Sequence, residues 1–314
     1  MRTASGIRRA APLLVAVMAA LVTTITLAFG SGSSAAARPG VLVAVGAESQ
    51  YADVIAQIGG RYVQVSAIMS NPNTDPHAFE ASIAVVRQIG AAALIVQNGL
   101  GYDDFMNTIE NATPNAGRTV LDVQRLLTLP DSTPNPHLWY GPATMSRVAA
   151  AVAADLARLQ PSHAAYFQAN ARAFLASMKP LTNAIASLAA ARPGTPVAST
   201  EPVANYLLQA AGADNLTPWT FQADIMNGVD PSPQDVATER ALLADHKVKA
   251  LVYNEQVTDP LTESLITLAS QNHIPVVGVY ETMPEPGYDY QTWMLAEITA
   301  LRQAVDHHTS AEHL

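Results

Sequence analysis

Two histidines stand in matching settings in this sequence. His77 occurs in NTDPHAFE and His137 in TPNPHLWYGP, and each directly follows a proline. Both stretches are rich in Pro, Asn, Asp and Thr, which predicts loops rather than the interior of a helix or strand. A single histidine in a loop is more often a helix cap than a ligand. Two histidines in such similar loops suggest that a ligand lies between them.

Two glutamates are predicted at comparable positions in the second half of the chain. Glu201 follows TPVAST (195–200), and Glu281 ends IPVVGVYE (274–281). Ligands of open α/β sheets bind beyond the carboxyl ends of the strands, and His77 also follows a predicted strand. Two imidazoles and two carboxylates, with no sulfur, are donors suited to Zn²⁺ or Mn²⁺. Either glutamate could instead be a first-turn acid satisfied by a helix dipole, so the spacing alone leaves both interpretations open.

Three further polar residues are candidates to orient these ligands. Glu80 lies one turn after His77 and could fix its imidazole, or it could serve as an acid at a helix N-terminus. Asn254 and Gln256 lie where a predicted strand ends at the cleft. Both are placed to hydrogen-bond to a ligand side chain rather than to bind the ion.

Short strands and helices are predicted to alternate along the chain and to carry these loops. Such alternation is typical of a doubly wound α/β sheet. Proline directly after Ser232 and after Asp259 predicts two helix starts. The predicted strands are 41–48, 63–69, 92–99, about 119–123, 195–200, 248–254 and 274–281, and the predicted helices are 51–60, 82–90, 202–212 and 260–271.

A helical pattern at residues 161–191 separates the two halves. At ~1.5 Å for each residue it would span about 46 Å, and Pro180 is expected to kink or divide it. The sequence therefore predicts two α/β lobes joined by a long central helix, with a metal site in the cleft between the lobes. The predicted boundaries are 1–37 for a signal peptide, 38–160 for the N-terminal lobe, 161–192 for the connecting helix, 193–306 for the C-terminal lobe and 307–314 for a polar tail.

The N-terminus has the order of segments found in secretory signal peptides. Arg2, Arg8 and Arg9 precede an apolar run (12–29), and small residues follow up to a plausible cleavage site after Ala37. A retained membrane anchor is the alternative, because 18 apolar residues approach the length that spans a bilayer. The threonines within the run favour cleavage.

Net charge and cysteine content exclude several kinds of binding partner and several kinds of modification. The net charge is −9, and removal of the signal peptide with its three arginines would bring it to about −12. Such an acidic chain is a poor candidate for binding nucleic acid or an anionic membrane. It has no cysteine, which excludes disulfides, thiolate zinc sites and a lipid-modified N-terminal cysteine.

Four motifs flank the central helix in a fixed order. They are DPHAFE, NPHLWYGP, STEPVANYLLQAAG and VGVYETMPEP. In this order they resemble the metal-binding subunits of bacterial zinc and manganese ABC importers, and the resemblance covers about residues 40–305. The succession of Asp-Pro-His and Pro-His-Leu-Trp is more specific to that family than either motif alone.

The resemblance implies a site, a cargo and a partner. Its metal ligands would be His77, His137, Glu201 and Glu281, holding one Zn²⁺ or Mn²⁺ ion as the transported substrate. It implies a periplasmic or other extracytoplasmic monomer, not an enzyme, that delivers the ion to the membrane permease of an ABC importer. The chain departs from the family in lacking the lipoprotein cysteine and the His-rich loop of many zinc members, and in having Glu281 where Asp is usual.

Two other functions are compatible with the same fold. A metal-dependent hydrolase normally keeps a coordination position open for water, whereas four protein ligands would close this site. The sequence also has no His-Glu-x-x-His, Gly-x-Ser-x-Gly or phosphate-binding glycine loop. A surface adhesin is the other alternative, and nothing in the sequence marks an adhesive surface.

Overall fold

The computed structural model describes residues 40–71, 79, 81–284 and 287–314. The predicted signal peptide, His77 and Glu80 therefore lie outside the described residues. Of the helices in the described ranges, none is both long and apolar enough to cross a membrane.

The first sheet has four parallel strands in the order β2-β1-β3-β4. The central strand β1 ends in five consecutive buried residues, as expected for a strand covered on both faces. Helices therefore pack on both sides of the sheet. The strands are β1 (Leu42–Glu48), β2 (Val63–Met69), β3 (Leu94–Gln97) and β4 (Thr119–Asp122), and the helices are α1 (Ser49–Gly59), α2 (Ile83–Ala91), α3 (Asp104–Ala112), α4 (Val123–Leu127) and α5 (Thr144–Leu159).

The helical region between the sheets is divided into two helices. After a short 3₁₀ turn, α6 (Ala164–Ser177) and α7 (Lys179–Ala191) meet at Met178. Pro180 lies in the first turn of α7, where its missing N–H removes no intrahelical hydrogen bond. Of the two predicted effects of Pro180, the structure shows division: a second helix starts at this proline, and there is no single kinked helix across residues 164–191.

The second sheet repeats the topology of the first, with the parallel order β6-β5-β7-β8. Ser232 caps α10 by accepting from the backbone N–H of Asp235, and Asp259 forms a capping box with Thr262 at the start of α11, so both predicted helix starts are confirmed. The strands are β5 (Thr195–Ser199), β6 (Ala213–Asn215), β7 (Leu251–Asn254) and β8 (Val276–Val279), and the helices are α8 (Asn205–Ala210), α9 (Trp219–Met226), α10 (Pro233–Ala244), α11 (Pro260–Gln271) and α12 (Tyr290–His307).

One hydrophobic core extends through both sheets and the helices between them. Its largest side chains are Trp139 and Trp293, which are both fully buried. Burial of aromatic side chains of this size contributes roughly 2–3 kcal/mol each. The fold is therefore α/β with two lobes, as the sequence predicts, and the lobes share a core.

The residues after α12 return to the second sheet. The backbone N–H of Ala311 donates to Val276 O (2.9 Å), and that of Gly278 donates to Ala311 O (2.8 Å). This parallel pairing covers the edge of β8, which would otherwise present unpaired backbone groups. The segment predicted only as a polar tail is thus partly an additional edge of the sheet.

Candidate metal centre

His137 lies in the loop that precedes a 3₁₀ turn, Leu138–Tyr140, and its side chain is fully buried. Its Nδ1 is 2.7 Å from Asn135 Oδ1, and the amide of Asn135 donates to Pro202 O (2.8 Å). Because the carboxamide oxygen can only accept, this contact assigns the ring hydrogen to Nδ1. The other ring nitrogen, Nε2, faces the carboxylate of Glu281.

Glu281 follows β8, is fully buried, and faces that imidazole. Its Oε2 lies 3.1 Å from His137 Nε2. Two donors that are each about 2.0–2.2 Å from one tetrahedral ion lie about 3.3 Å apart. The separation is therefore compatible with two ligands of a single small cation.

Several hydrogen bonds fix Glu281 in this orientation. Tyr102 Oη donates to Oε2 (2.8 Å) and Asn254 Nδ2 donates to Oε1 (2.8 Å). Gln256 Oε1 accepts the backbone N–H groups of Glu281 and Thr282, both at 2.6 Å. The carboxylate and the backbone that carries it are thus held by separate side chains.

Glu201 is joined to this group through Asn254. Its side chain is almost fully buried (3% exposed), and its Oε1 accepts from Asn254 Nδ2 at 3.1 Å. Since β7 lies between β5 and β8, the residue at its end lies between the residues that follow its two neighbours. The strand order therefore explains why one amide reaches both carboxylates.

The structure brings together five of the seven residues predicted for the site. His137, Glu201 and Glu281 lie in the cleft with Asn254 and Gln256, whereas His77 and Glu80 lie outside the described residues. Within the described ranges no group of three or more His, Cys, Asp or Glu side chains is arranged to hold a metal ion. The four-ligand set therefore stays a prediction.

Among the described residues, Asn135, Tyr102 and Gln50 contact the predicted ligands and were missed by sequence reasoning; Gln50 Nε2 donates to Glu281 O at 3.2 Å. Asn135 is the Asn of the Asn-Pro-His motif, so its place two residues before His137 was the available signal. Tyr102 follows the turn after β3 and reaches Glu281 across the cleft. No local pattern marks Tyr102, because its contact depends on how the two lobes meet.

A buried network behind the cleft ties the loops of His137 and Glu281 together. Tyr140 Oη lies 2.7 Å from Tyr280 O and 2.9 Å from Glu297 Oε1, and Trp293 Nε1 donates to the same Glu297 oxygen (2.7 Å). Burial raises the pKa of Glu297 to about 8, although hydrogen bonds from Tyr140 and Trp293 oppose the shift. Tyr140, three residues after His137, and Tyr280, next to Glu281, are therefore linked to α12.

A second buried network supports the His137 loop from the first lobe. Asp103 accepts the backbone N–H groups of Asn98 (2.6 Å) and Gly99 (2.9 Å), and Asn98 Nδ2 donates to Pro136 O (2.8 Å). Burial raises the pKa of Asp103 to about 6, and it raises the pKa of Glu48 well above its usual value with a further contribution from Asp103. The loop before His137 is thus held by a polar core.

The fold and the site define a two-lobed α/β binding protein with buried imidazole and carboxylate donors between its lobes. Residues 45–304 match the family described as ZnuA, zinc-uptake complex component A, periplasmic. This match covers most of the chain, and the protein belongs to that family. The resemblance found in the sequence is thereby confirmed.

Two curated relatives are named for the metals that they bind. The zinc-binding protein TroA of Treponema pallidum (strain Nichols) is 24% identical over 271 residues, which cover 82% of this chain and 84% of TroA. The manganese-binding lipoprotein MntA of Bacillus subtilis (strain 168) is 26% identical over 132 residues, or 40% of this chain and 43% of MntA. One relative is named for zinc and the other for manganese.

Solved structures show the same fold. A Mn-bound periplasmic metal-binding protein from Candidatus Liberibacter asiaticus superposes with a TM-score of 0.68 at 20% identity, covering 84% of this chain and 99% of that one. A crystal structure of ZnuA gives a TM-score of 0.68 at 20% identity, covering 85% of this chain and all of its own. At this identity the likeness establishes the fold alone.

Proposed function

We propose that this protein captures one divalent transition-metal ion outside the cytoplasmic membrane and delivers it to the permease of an ABC importer. Family membership supports the transport role. The observation that carries the proposal is the buried contact of His137 Nε2 with Glu281 Oε2, 3.1 Å apart, at the junction of the two lobes. A cation bound there would satisfy both the imidazole lone pair and the carboxylate.

The proposed ligands are His77, His137, Glu201 and Glu281. Two imidazoles and two carboxylates bind Zn²⁺ more tightly than Mn²⁺ in vitro by the Irving–Williams order. The oxygen-rich donor set and the missing His-rich loop favour manganese as the ion carried in the cell. The relatives TroA and MntA are named for zinc and for manganese, so both ions belong in the test.

The protein is proposed to act as a monomeric carrier and not as an enzyme. Four protein ligands around one ion leave no open position for an activated water, and a carrier needs none. The basic, apolar and small-residue segments at the N-terminus support export through a signal peptide that ends near Ala37. The membrane partner is proposed to be the permease of the importer.

The test is the metal content of the protein purified without added metal or a His tag, measured by mass spectrometry. Wild type is expected to carry about one ion of Zn or Mn for each chain, and His137→Ala to carry far less. His307→Ala is the matched control, since His307 is an exposed residue at the end of α12. Wild type that neither retains nor takes up either metal would contradict the proposal. Hydrolysis of an ester or phosphate substrate by the purified protein would favour the alternative, a metal-dependent hydrolase.

A further inference from the structure

Asn254 has an unusual position for an uncharged side chain. It is 1% exposed at the end of β7, and its single Nδ2 group donates to Glu281 Oε1 (2.8 Å) and to Glu201 Oε1 (3.1 Å). The two carboxylates come from loops that follow different strands. One amide therefore holds two proposed ligands in a fixed relation to each other.

The orientation of this amide is set by its other contacts. Asn254 Oδ1 accepts the backbone N–H of Gln256 (3.1 Å), so Nδ2 must face the carboxylates. Thr200 Oγ1 accepts the backbone N–H of Asn254 (3.2 Å) and fixes the main chain at the same point. A flipped amide would turn its oxygen toward two carboxylates and its NH₂ toward a backbone N–H, which is unfavourable at both ends.

We infer that Asn254 is a positioning residue that limits how many carboxylate oxygens reach the metal ion, and that it thereby raises the preference for Zn²⁺ over Mn²⁺. This inference rests on the proposed function. The amide holds Oε1 of each glutamate toward itself, so each glutamate can turn mainly its other oxygen toward the ion. Two single oxygens and two imidazoles give four donors, which suits zinc, whereas manganese prefers more oxygens.

The contacts of Glu281 agree with this division between its two oxygens. Oε1 faces Asn254, while Oε2 faces His137 Nε2 and accepts from Tyr102. The oxygen turned toward the proposed ligand imidazole is thus the one that Asn254 does not engage. Removing the amide would free Oε1 to join the ion and would let the Glu201 side chain rotate.

The test compares Zn²⁺ and Mn²⁺ affinities of wild type and Asn254→Ala by competition titration with a chelator. Loss of a residue that orients metal ligands typically costs about 10–100-fold in affinity. We expect a loss of that size for Zn²⁺ and a change of less than about threefold for Mn²⁺, so that the Zn/Mn affinity ratio falls about tenfold or more. The visible absorption of bound Co²⁺ should weaken, as it does when four-coordinate cobalt gains ligands.

Two further variants separate this role from a merely structural one. Asn254→Ser keeps an acceptor for the Gln256 N–H but is too short to reach both carboxylates, so it should shift the ratio in the same direction. Gln222→Ala removes another buried amide of the same lobe, whose partners are Asn205, Asn215 and Thr217. It should lower stability and leave the Zn/Mn ratio unchanged.

The possible results tell a failure of the proposed function apart from a failure of the role inferred for Asn254. Wild type that binds neither metal overturns the proposed function and this role with it. Wild type that binds metal, together with Asn254 variants whose two affinities fall equally and whose Co²⁺ spectrum is unaltered, overturns the role alone. A fall in the ratio in both Asn254 variants but not in Gln222→Ala supports it.

Discussion

Glu201 is the proposed ligand whose chemistry most directly affects the choice of metal. Glu201→His exchanges a hard oxygen donor for a borderline nitrogen, which should increase the affinity for Zn²⁺ relative to Mn²⁺ by about tenfold, or about 1.4 kcal/mol. Titration of both metals into wild type and variant measures this change. Glu263→His, which adds a histidine on the exposed face of α11, is the control for adventitious zinc binding. If the ratio is the same in all three proteins, Glu201 is not a metal ligand.

Glu239 is a buried acid outside the candidate metal site, and its burial should make the stability of the protein depend on pH. It is fully buried in α10, and burial raises its pKa to about 7, although the Thr217 hydroxyl opposes the shift. The folded state then holds a proton between pH 4.5 and 7 that the unfolded state has released. The free energy of unfolding should therefore fall as pH rises through that window.

Glu239→Gln should remove this dependence. The variant is expected to gain on the order of 3 kcal/mol relative to wild type between pH 4 and pH 8, because one pKa unit corresponds to about 1.4 kcal/mol. Denaturant unfolding at several pH values measures it. The exposed Glu263→Gln serves as the control and should parallel wild type. Parallel curves for Glu239→Gln and wild type would show that Glu239 is already ionised in the folded protein.

At the scale of elements, the edge of β8 depends on a glycine. A side-chain carbon at Gly278 would collide with the backbone oxygen of Glu312, so the segment 310–314 can lie on β8 only because this residue has no Cβ. Gly278→Ala should displace the segment and break its backbone hydrogen bonds with Val276 and Gly278. We expect a loss of about 1–3 kcal/mol in the free energy of unfolding.

A double-mutant cycle tests the origin of that loss. In a chain shortened after His308 the colliding backbone is gone, so Gly278→Ala should cost less than about 0.5 kcal/mol. The shortened chain itself should be less stable and more prone to aggregate, since its sheet edge is open. An equal cost of Gly278→Ala in the full and shortened chains would place the strain within β8 instead.

Elements with strong local signals were predictable, and those defined by tertiary contacts were not. Helix α11 begins and ends at the predicted residues because Asp259, Pro260 and Thr262 specify its start. Strand β7 is three residues shorter than predicted, although the backbone N–H of Lys249 donates to Pro196 O (2.8 Å) and Ala250 O accepts the N–H of Ala198 (3.0 Å) just before it begins. Strand β6 reads Ala-Asp-Asn and has no apolar pattern, so it forms only because β5 lies beside it.

The candidate site shows the same division between local and tertiary information. His137, Glu201, Glu281, Asn254 and Gln256 were predictable because each follows a strand or stands in a motif. Tyr102 was not, since its contact with Glu281 depends on the meeting of two lobes, whereas Asn135 stands in the motif of His137 and was overlooked. For His77 and Glu80 the sequence remains the basis of the prediction.

On the scale of the whole molecule, hydrogen bonds that do not involve the predicted metal ligands join the two lobes. Tyr290 Oη donates to Trp139 O (2.6 Å), Asp53 Oδ2 accepts the backbone N–H of Tyr290 (3.0 Å), and Gln57 and Gln291 exchange bonds at 2.9 Å. Helix α12 also packs against α7 and α1. A wide hinge motion would have to break these contacts and expose part of the shared core.

Metal binding is therefore expected to leave the overall dimensions of the protein unchanged. X-ray scattering of wild type with chelator and with Zn²⁺ should give the same radius of gyration within error, because the joined lobes allow only local movement of loops and side chains. A large decrease on metal addition would show that the lobes separate in the absence of metal.

The Tyr140→Phe variant tests which contact holds the lobes together. It removes the hydroxyl that contacts Tyr280 and Glu297 while keeping the ring in the core. If the Tyr140 hydroxyl helps to hold the lobes together, this variant should have a larger radius than wild type without metal and should contract when metal binds. Equal radii for all four samples would assign that role to the other contacts of α12.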